Sequence, residues 1–497
     1  MPAPAGVTIV ATAVADTTES ISALIAVTGP CGTGNEALLK GQYAFLLRGF
    51  DANGPVGIAG SFDADGAGNI AKTVGLEDIN RSSGPQTNLT ILSAGSSYSV
   101  GSDNRGCMTL VNSTGTTTTL RFALGSIAGT PGIANKGWIE EFDDATGTGT
   151  RAAVGEIRLQ DPASFSNTQF SGPYAFGFYG QDGGGVRFAV AGTFTPDGLR
   201  AITAGAFDSD AGGTLSANTP IAGASYSVGP NGRGTMSVGI TVGGTNHLAM
   251  YMINSSDAFF VTTDSLALAP IFSGEAQRSA TAFTTLSLNG TAVFHLSGDS
   301  SNMGHDAVLA LASADGTGNL TSFHIFQNIE GIFTTQTVTT GTYSVAPNGR
   351  VTLSGVGLNP PPVLYLSAQN QGFVVGTGPF SEIGKFEQQT GGPFSNASFS
   401  GAYFFGTETP LSPFGLVETG TLTADSSTAT TAVTSDQAND GNGVLVPNST
   451  FNYTFAFAPD GTGNIGGGTT TTILISPSRL VYMQNTQLPP IIFVIEK

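Results

Sequence analysis

Short stretches in which apolar and polar residues alternate follow one another along almost the whole chain. That period of two is the signature of half-buried β-strands. Between residues 35 and 161 the pattern predicts eight strands: GQYAFLLRGF, VGIAGSF, NIAKTVGLED, SSYSVGS, CMTLVNS, TTLRFALG, KGWIEEF and AAVGEIRL. Turn formers separate them at 51–54, 63–68 and 103–106. Asp, Asn and Gly favour tight turns because they tolerate positive φ or bond their own backbone. No stretch carries helical period over a useful length.

The pattern repeats. DPASFSNTQFSGPYAF (161–176) returns as ATAFTTLSLNGTAVF (280–294) and GGPFSNASFSGAYFF (391–405), with a shorter form, NEALLKGQYAF, at 35–45. SSYSVGSDNRG (96–106) returns as ASYSVGPNGRG, TGTYSVAPNGR and NYTFAFAPDGTGN. With Tyr98, Tyr226, Tyr343 and Tyr453 as markers, the spacings are 128, 117 and 110 residues. A loop inserted at 126–136 accounts for the longer first unit. The chain therefore divides into an N-terminal hairpin and linker (1–34) and four units (35–161, 162–279, 280–391, 392–497). Eight antiparallel strands must hide two edges, and closure does so. The expected fold is all-β: tandem antiparallel eight-stranded up-and-down barrels. An eight-bladed β-propeller, two blades per unit, is the alternative.

Residues 7–28 hold two β-branched runs about a polar turn at 15–19, which predicts a hairpin, and 29–35 reads as linker. This hairpin resembles the last two strands of a bacterial Ig-like domain, which implies a longer stalk upstream. Gly41-x-Tyr43, Gly172-x-Tyr174 and Gly401-x-Tyr403 resemble the G-x-W opening of lipocalin-like barrels, with Tyr for Trp and Ala292 in the third unit. The resemblance implies a closed meander barrel and, more weakly, ligand binding. It also implies an Arg covering that aromatic, for which Arg158 and Arg278 are the matches. The whole is similar to uncharacterised secreted bacterial repeat proteins in which Ig-like modules precede such barrels.

Composition adds a compartment. Charged residues are only 10% of the 497, Gly numbers 70, and the net charge is −18. The few basic residues are scattered, so neither nucleic acid nor an anionic membrane is an expected partner. No apolar run is long enough for a spanning helix. The start, MPAPAGVTIV, lacks the layout of a signal peptide, and the composition points to a secreted or cell-surface protein whose export signal is not in this chain. Cys31 and Cys107 are either two unrelated buried thiols or one disulfide.

Candidate chemistry is sparse. DADGAGN (63–69), ADGTGN and PDGTGN resemble calcium loops but supply too few oxygens, so they read as turns. His295, His305 and His324, with Asp299 and Asp306, fit no zinc spacing. Glu140, Glu141, Asp143 and Asp144 beside Trp138 form the densest acidic cluster, yet neighbouring strand residues face opposite ways. There is no G-x-S-x-G and no P-loop. Arg105, Arg233 and Arg350 recur after one turn, and Glu156, Glu275, Glu387 and Glu496 recur in the last strands. An ion pair between the two sets, closing each barrel end, is the expectation. The functional expectation is a structural or adhesive protein without catalysis or cofactor, self-associating through strand edges or the N-terminal hairpin. A barrel binding a small apolar ligand or a glycan is the alternative, and an extracellular hydrolase the second.

Overall fold

A computed structural model describes residues 6–12, 20–26, 31–71, 75–142, 150–241, 244–300, 302–358, 360–438 and 445–497, with backbone alone for 6–12, 20–26 and 150–152. The described residues are all-β apart from four short 3-10 turns. Gly6–Thr12 and Ser20–Ala26 pair as the predicted hairpin. Residues 40–159 and 401–496 each form a closed barrel of eight antiparallel strands in meander order; these are barrels 1 and 4.

Barrels 2 (174–278) and 3 (289–388) follow the same order with a broken fourth strand. In barrel 3 the third strand, Asn319–Ile329, pairs with the second and with both pieces of the fourth, Ile332–Val338 and Gly341–Val345, which closes the ring. In barrel 2 the break lies between Thr214–Pro220 and Ser225–Val228. The bridge Ala201↔Ser225 and the bond from Ile202 N to Ala224 O carry the ring across it. Each roll thus closes on itself, and the propeller alternative does not apply.

Local chemistry explains the turns. Asp65 Oδ1 accepts from the N–H groups of Ala67 and Asn69 at 2.7 and 3.0 Å, and Asp315 does the same for Thr317 and Asn319. Gly66 and Gly316 beside them sit at φ 80° and 75°, where a side chain is disfavoured. The calcium-like loops are therefore turns whose carboxylates are occupied by their own backbone. Residues 126–136 are not a loop. The sixth and seventh strands, Thr117–Ala128 and Ile133–Glu141, simply extend through them as a longer hairpin.

A 3-10 turn precedes each first strand and plugs one barrel end. The repeated tyrosine holds it: Tyr98, Tyr226 and Tyr343 donate to the carbonyls of Leu39, Phe170 and Leu288 at 2.8, 2.9 and 2.7 Å. In barrel 4 the register puts Phe455 here, not Tyr453. Phe455 N bonds Ala429 O just as Tyr98 N bonds Gly68 O. Its ring meets Phe399 edge-on at 5.1 Å in place of the hydroxyl tie. Cys31 and Cys107 are joined as a disulfide, Cα atoms 5.6 Å apart, and Asn35 N bonds Val100 O. The segment read as a linker is thereby fastened to barrel 1 from Cys31 onward.

The barrels pack through their outward faces. Ala44, Leu46 and Ala59 of barrel 1 meet Tyr251, Phe259 and Val261 of barrel 2. Ala175, Ala189 and Ala191 of barrel 2 meet Tyr365, Phe373 and Val375 of barrel 3. Val293, Leu309 and Leu311 of barrel 3 meet Ile473, Val481 and Met483 of barrel 4, whose Phe404 and Val494 in turn share the cluster with Trp138 of barrel 1. Phe142 and Val154 also pack on Val417 and Ala438. Barrel 4 therefore returns to barrel 1, and the four rolls form a closed ring.

Candidate functional site

Two places concentrate polar chemistry: the axis of the ring and the interior of barrel 4.

At the axis stand the four repeated glutamates. Each lies on an eighth strand beside an inward-facing core residue (Ile157, Ala276, Phe386, Ile495), so each points out of its barrel. Glu387 accepts from Arg479 Nε at 2.8 Å, and Arg479 also pairs with Glu496. Lys136 Nζ bridges Glu496 and Glu156 at 2.6 and 3.3 Å. Arg158 bridges Glu156 and Glu275 at 2.6 and 3.1 Å, and Glu275 pairs with Lys385. The chain of ion pairs runs from barrel 3 through 4, 1 and 2 and back to 3. Burial alone pushes these carboxyls up, but the adjacent cations outweigh it and hold all four below their ordinary range.

A cavity of about 320 Å³ opens beside the network, lined by Lys136, Arg158, Lys385 and Arg479. Each of those cations already has a carboxylate partner. The arrangement is self-satisfied and serves to tie the ring together.

The expected pairing between the two repeated sets is corrected by this geometry. Arg233 pairs with Asp78 of barrel 1, Arg350 with Asp208 of barrel 2, and Arg105 with Asp436 of barrel 4 at 2.7, 2.7 and 2.9 Å. The arginines join seams between neighbours; the glutamates join all four barrels at the axis. At the fourth seam Thr462 replaces Arg and cross-strand register places Phe326 where Asp78, Asp208 and Asp436 stand. Phe326 packs with Ile473, the cross-strand partner of Thr462, so an apolar contact stands in for the ion pair there.

Other sequence candidates are dispersed. His295 is buried between Glu387 and Glu408 at 3.1 and 2.5 Å, while His305 pairs with Glu330 at 2.7 Å. Among the described residues no group of three or more His, Cys, Asp or Glu is placed to hold a metal. Glu140 accepts from Thr419 Oγ1 of barrel 4 at 3.0 Å, and Glu141 pairs in register with the core residue Leu120, facing the other way. Asp143 and Asp144 lie outside the described residues. Trp138 Nε1 donates to Glu496. Arg278 lies against Gly172 and pairs in register with Tyr174, whereas Arg158 goes to the axis.

Barrel interiors differ. Barrels 1 and 2 are filled by large core residues, among them Phe45, Phe62, Phe122, Phe176, Phe194 and Phe207, all at most 1% exposed. Barrel 4 encloses a cavity of about 290 Å³, at the lower end of the volumes that take small molecules. Phe405, Phe451, Tyr453, Tyr482 and Phe493 form much of its wall, with Glu418, Thr431, Gln437, Gln484 and Gln487 among its polar groups. Phe451 and Tyr453 stack at 5.9 Å, and Tyr482 meets Phe493 edge-on at 5.3 Å. Among the described residues no basic side chain lines the cavity. Burial pushes the Glu418 carboxyl up to about 7, with hydrogen bonds from Ser435 and then Gln437 working the other way and Asp436 adding to the rise. Barrel 3 holds a second cavity of about 300 Å³, more apolar, bounded by Phe294, Leu296, Val308, Phe323 and Glu382.

Sequence reading passed over Glu418. Its signal appears once the strands are aligned on the turn residues Asp65, Asp197, Asp315 and Asp425. The position seven before each is Ile58, Val190, Val308 and Glu418. Fold and site together define a ring of four meander barrels with hollow, differently lined third and fourth members. A comparison of the chain with known protein families finds no matching family model, and a comparison with curated proteins finds no match.

Proposed function

We propose that this chain is a binding protein in which barrel 4 receives a small, largely apolar molecule and the ring is its scaffold. The observation that supports this best is the unfilled interior of barrel 4, beside barrels 1 and 2 whose equivalent space is packed. An empty apolar space forfeits dispersion contacts and destabilises a fold unless something fills it. Aromatic walls with a few convergent polar groups match the usual composition of ligand sites. The Cys31–Cys107 disulfide supports an oxidising, extracytoplasmic location.

The test is displacement of a neutral polarity-sensitive dye, Nile red, from the purified chain. Val433→Trp places an indole in the cavity and is expected to abolish dye uptake while leaving the circular dichroism spectrum unchanged. Full uptake by a folded Val433→Trp chain would sink the proposal.

A structural or adhesive role is the second reading. Met303, Ile332, Phe414 and Leu488 are 42, 69, 58 and 59% exposed at hairpin turns of barrels 3 and 4. Exposed apolar tips of this kind favour contacts between molecules. Sedimentation showing only monomers at high concentration would remove it.

A further inference from the structure

We propose that the barrel 4 cavity takes an organic ammonium ion, its apolar body along the wall and its charged head between Glu418 and the rings of Tyr453 and Tyr482. This rests on the binding reading above and names the chemistry of that site.

The chain supplies its own controls. Three barrels place Ile58, Val190 or Val308 at the inward position where barrel 4 places Glu418, and that position faces the core in all of them. A carboxylate buried among hydrocarbon is costly unless a cation pairs with it. Among the described residues no cation stands at ion-pair distance from Glu418, whose side-chain partners Ser435 and Gln437 are neutral. The missing charge is therefore supplied by the ligand. Its surroundings favour the same class, because aromatic faces attract cations, most strongly when both are out of water. Burial and the nearby Glu418 charge push the Tyr453 and Tyr482 phenols up, so both rings stay neutral and electron-rich on their faces. An anionic head would meet Glu418 directly. The net charge of −18 also draws cations toward the protein.

Calorimetric titration of the full chain at pH 8 with n-hexylammonium, n-hexanol and n-hexanoate tests this. Hexylammonium is expected to bind tighter than hexanol by about tenfold or more, the scale of a desolvated cation–π contact. Glu418→Gln is expected to erase that preference. Glu418→Ile restores the residue type of the other barrels, so it folds, still takes hexanol and loses hexylammonium. Equal or tighter binding of hexanol or hexanoate by the unmodified chain overturns the ammonium assignment and leaves barrel 4 a binding site. A hexylammonium preference that survives both Glu418 variants overturns it too, by placing the ion elsewhere. Binding of none of the three overturns this assignment and the binding reading together.

Discussion

Arg233 and Asp78 form a two-pronged pair across the seam between barrels 2 and 1, with both nitrogen–oxygen distances at 2.7 Å. The Tyr251 hydroxyl donates to the same carboxylate at 2.6 Å. Arg350, Asp208 and Tyr365 repeat the arrangement one seam further on. Asp78 is 1% exposed, so removing its cation leaves a buried charge without compensation. Arg233→Met is expected to cost about 3–5 kcal/mol in urea unfolding. Adding Asp78→Leu should recover most of that loss, because an apolar pair replaces the ion pair as Phe326 and Ile473 do at the fourth seam. A single substitution costing less than about 1 kcal/mol, the scale of an exposed pair, contradicts a structural role for the seam.

His295 makes stability depend on pH above neutrality. Burial disfavours its charged form, but Glu408 and then Glu387 outweigh it and push its pKa up to about 9. In the unfolded chain the value is about 6.5. The folded state therefore holds the proton more tightly, and the stability this adds is complete below about pH 6.5 and lost as pH rises through 9. Unfolding midpoints measured from pH 6.5 to 9.5 should fall, and His295→Gln should flatten that fall.

Glu418 acts in a lower window with the same direction. Its folded value of about 7 lies above the roughly 4.3 of an exposed glutamate. Ionising it in place costs stability, and that cost grows as pH rises from about 4.3 to 7. Glu418→Ile is thus expected to stabilise the chain by about 1–3 kcal/mol at pH 8, the cost of burying an ill-matched polar group. At pH 4 the gain should shrink toward zero. Glu77, also pushed up to about 7 by burial, keeps its own share of the slope in the variant.

Close approach at the seams can be tested with one methyl group. A Cβ on Gly177 would lie 2.5 Å from the Phe373 ring of barrel 3, and one on Gly406 would lie 2.6 Å from the Trp138 ring of barrel 1. Gly177→Ala is expected to destabilise by about 1–3 kcal/mol, as overpacking usually does. Native-state hydrogen exchange should show the loss in the strands that carry Gly177 and Phe373 before any in barrel 4.

The strands and turns were legible because period two and Asp-Gly pairs are local signals. The ring was not, since its contacts join residues such as Leu46 and Val261, far apart along the chain. A trace of it exists in FHIF, VLYL and IIFVIE, where apolar residues occupy both faces of a strand; such strands are covered on both sides. The repeated Arg and Glu were rightly taken as equivalent positions, but repetition shows a shared environment without naming the partner. Tyr453 misled for a related reason. Barrel 4 carries Tyr two residues before the true equivalent, Phe455, and only hydrogen-bond register separates them.

The seam between barrels 4 and 1 has a bearing on how such a molecule could evolve. An open string of modules lengthens freely, since each new copy needs only one neighbour. Here every module is flanked on both sides, and the glutamates of all four meet one set of cations at the centre. A fifth copy would have to widen every angle and break that centre, so duplication is arrested at four, and later divergence is confined to what each roll holds inside.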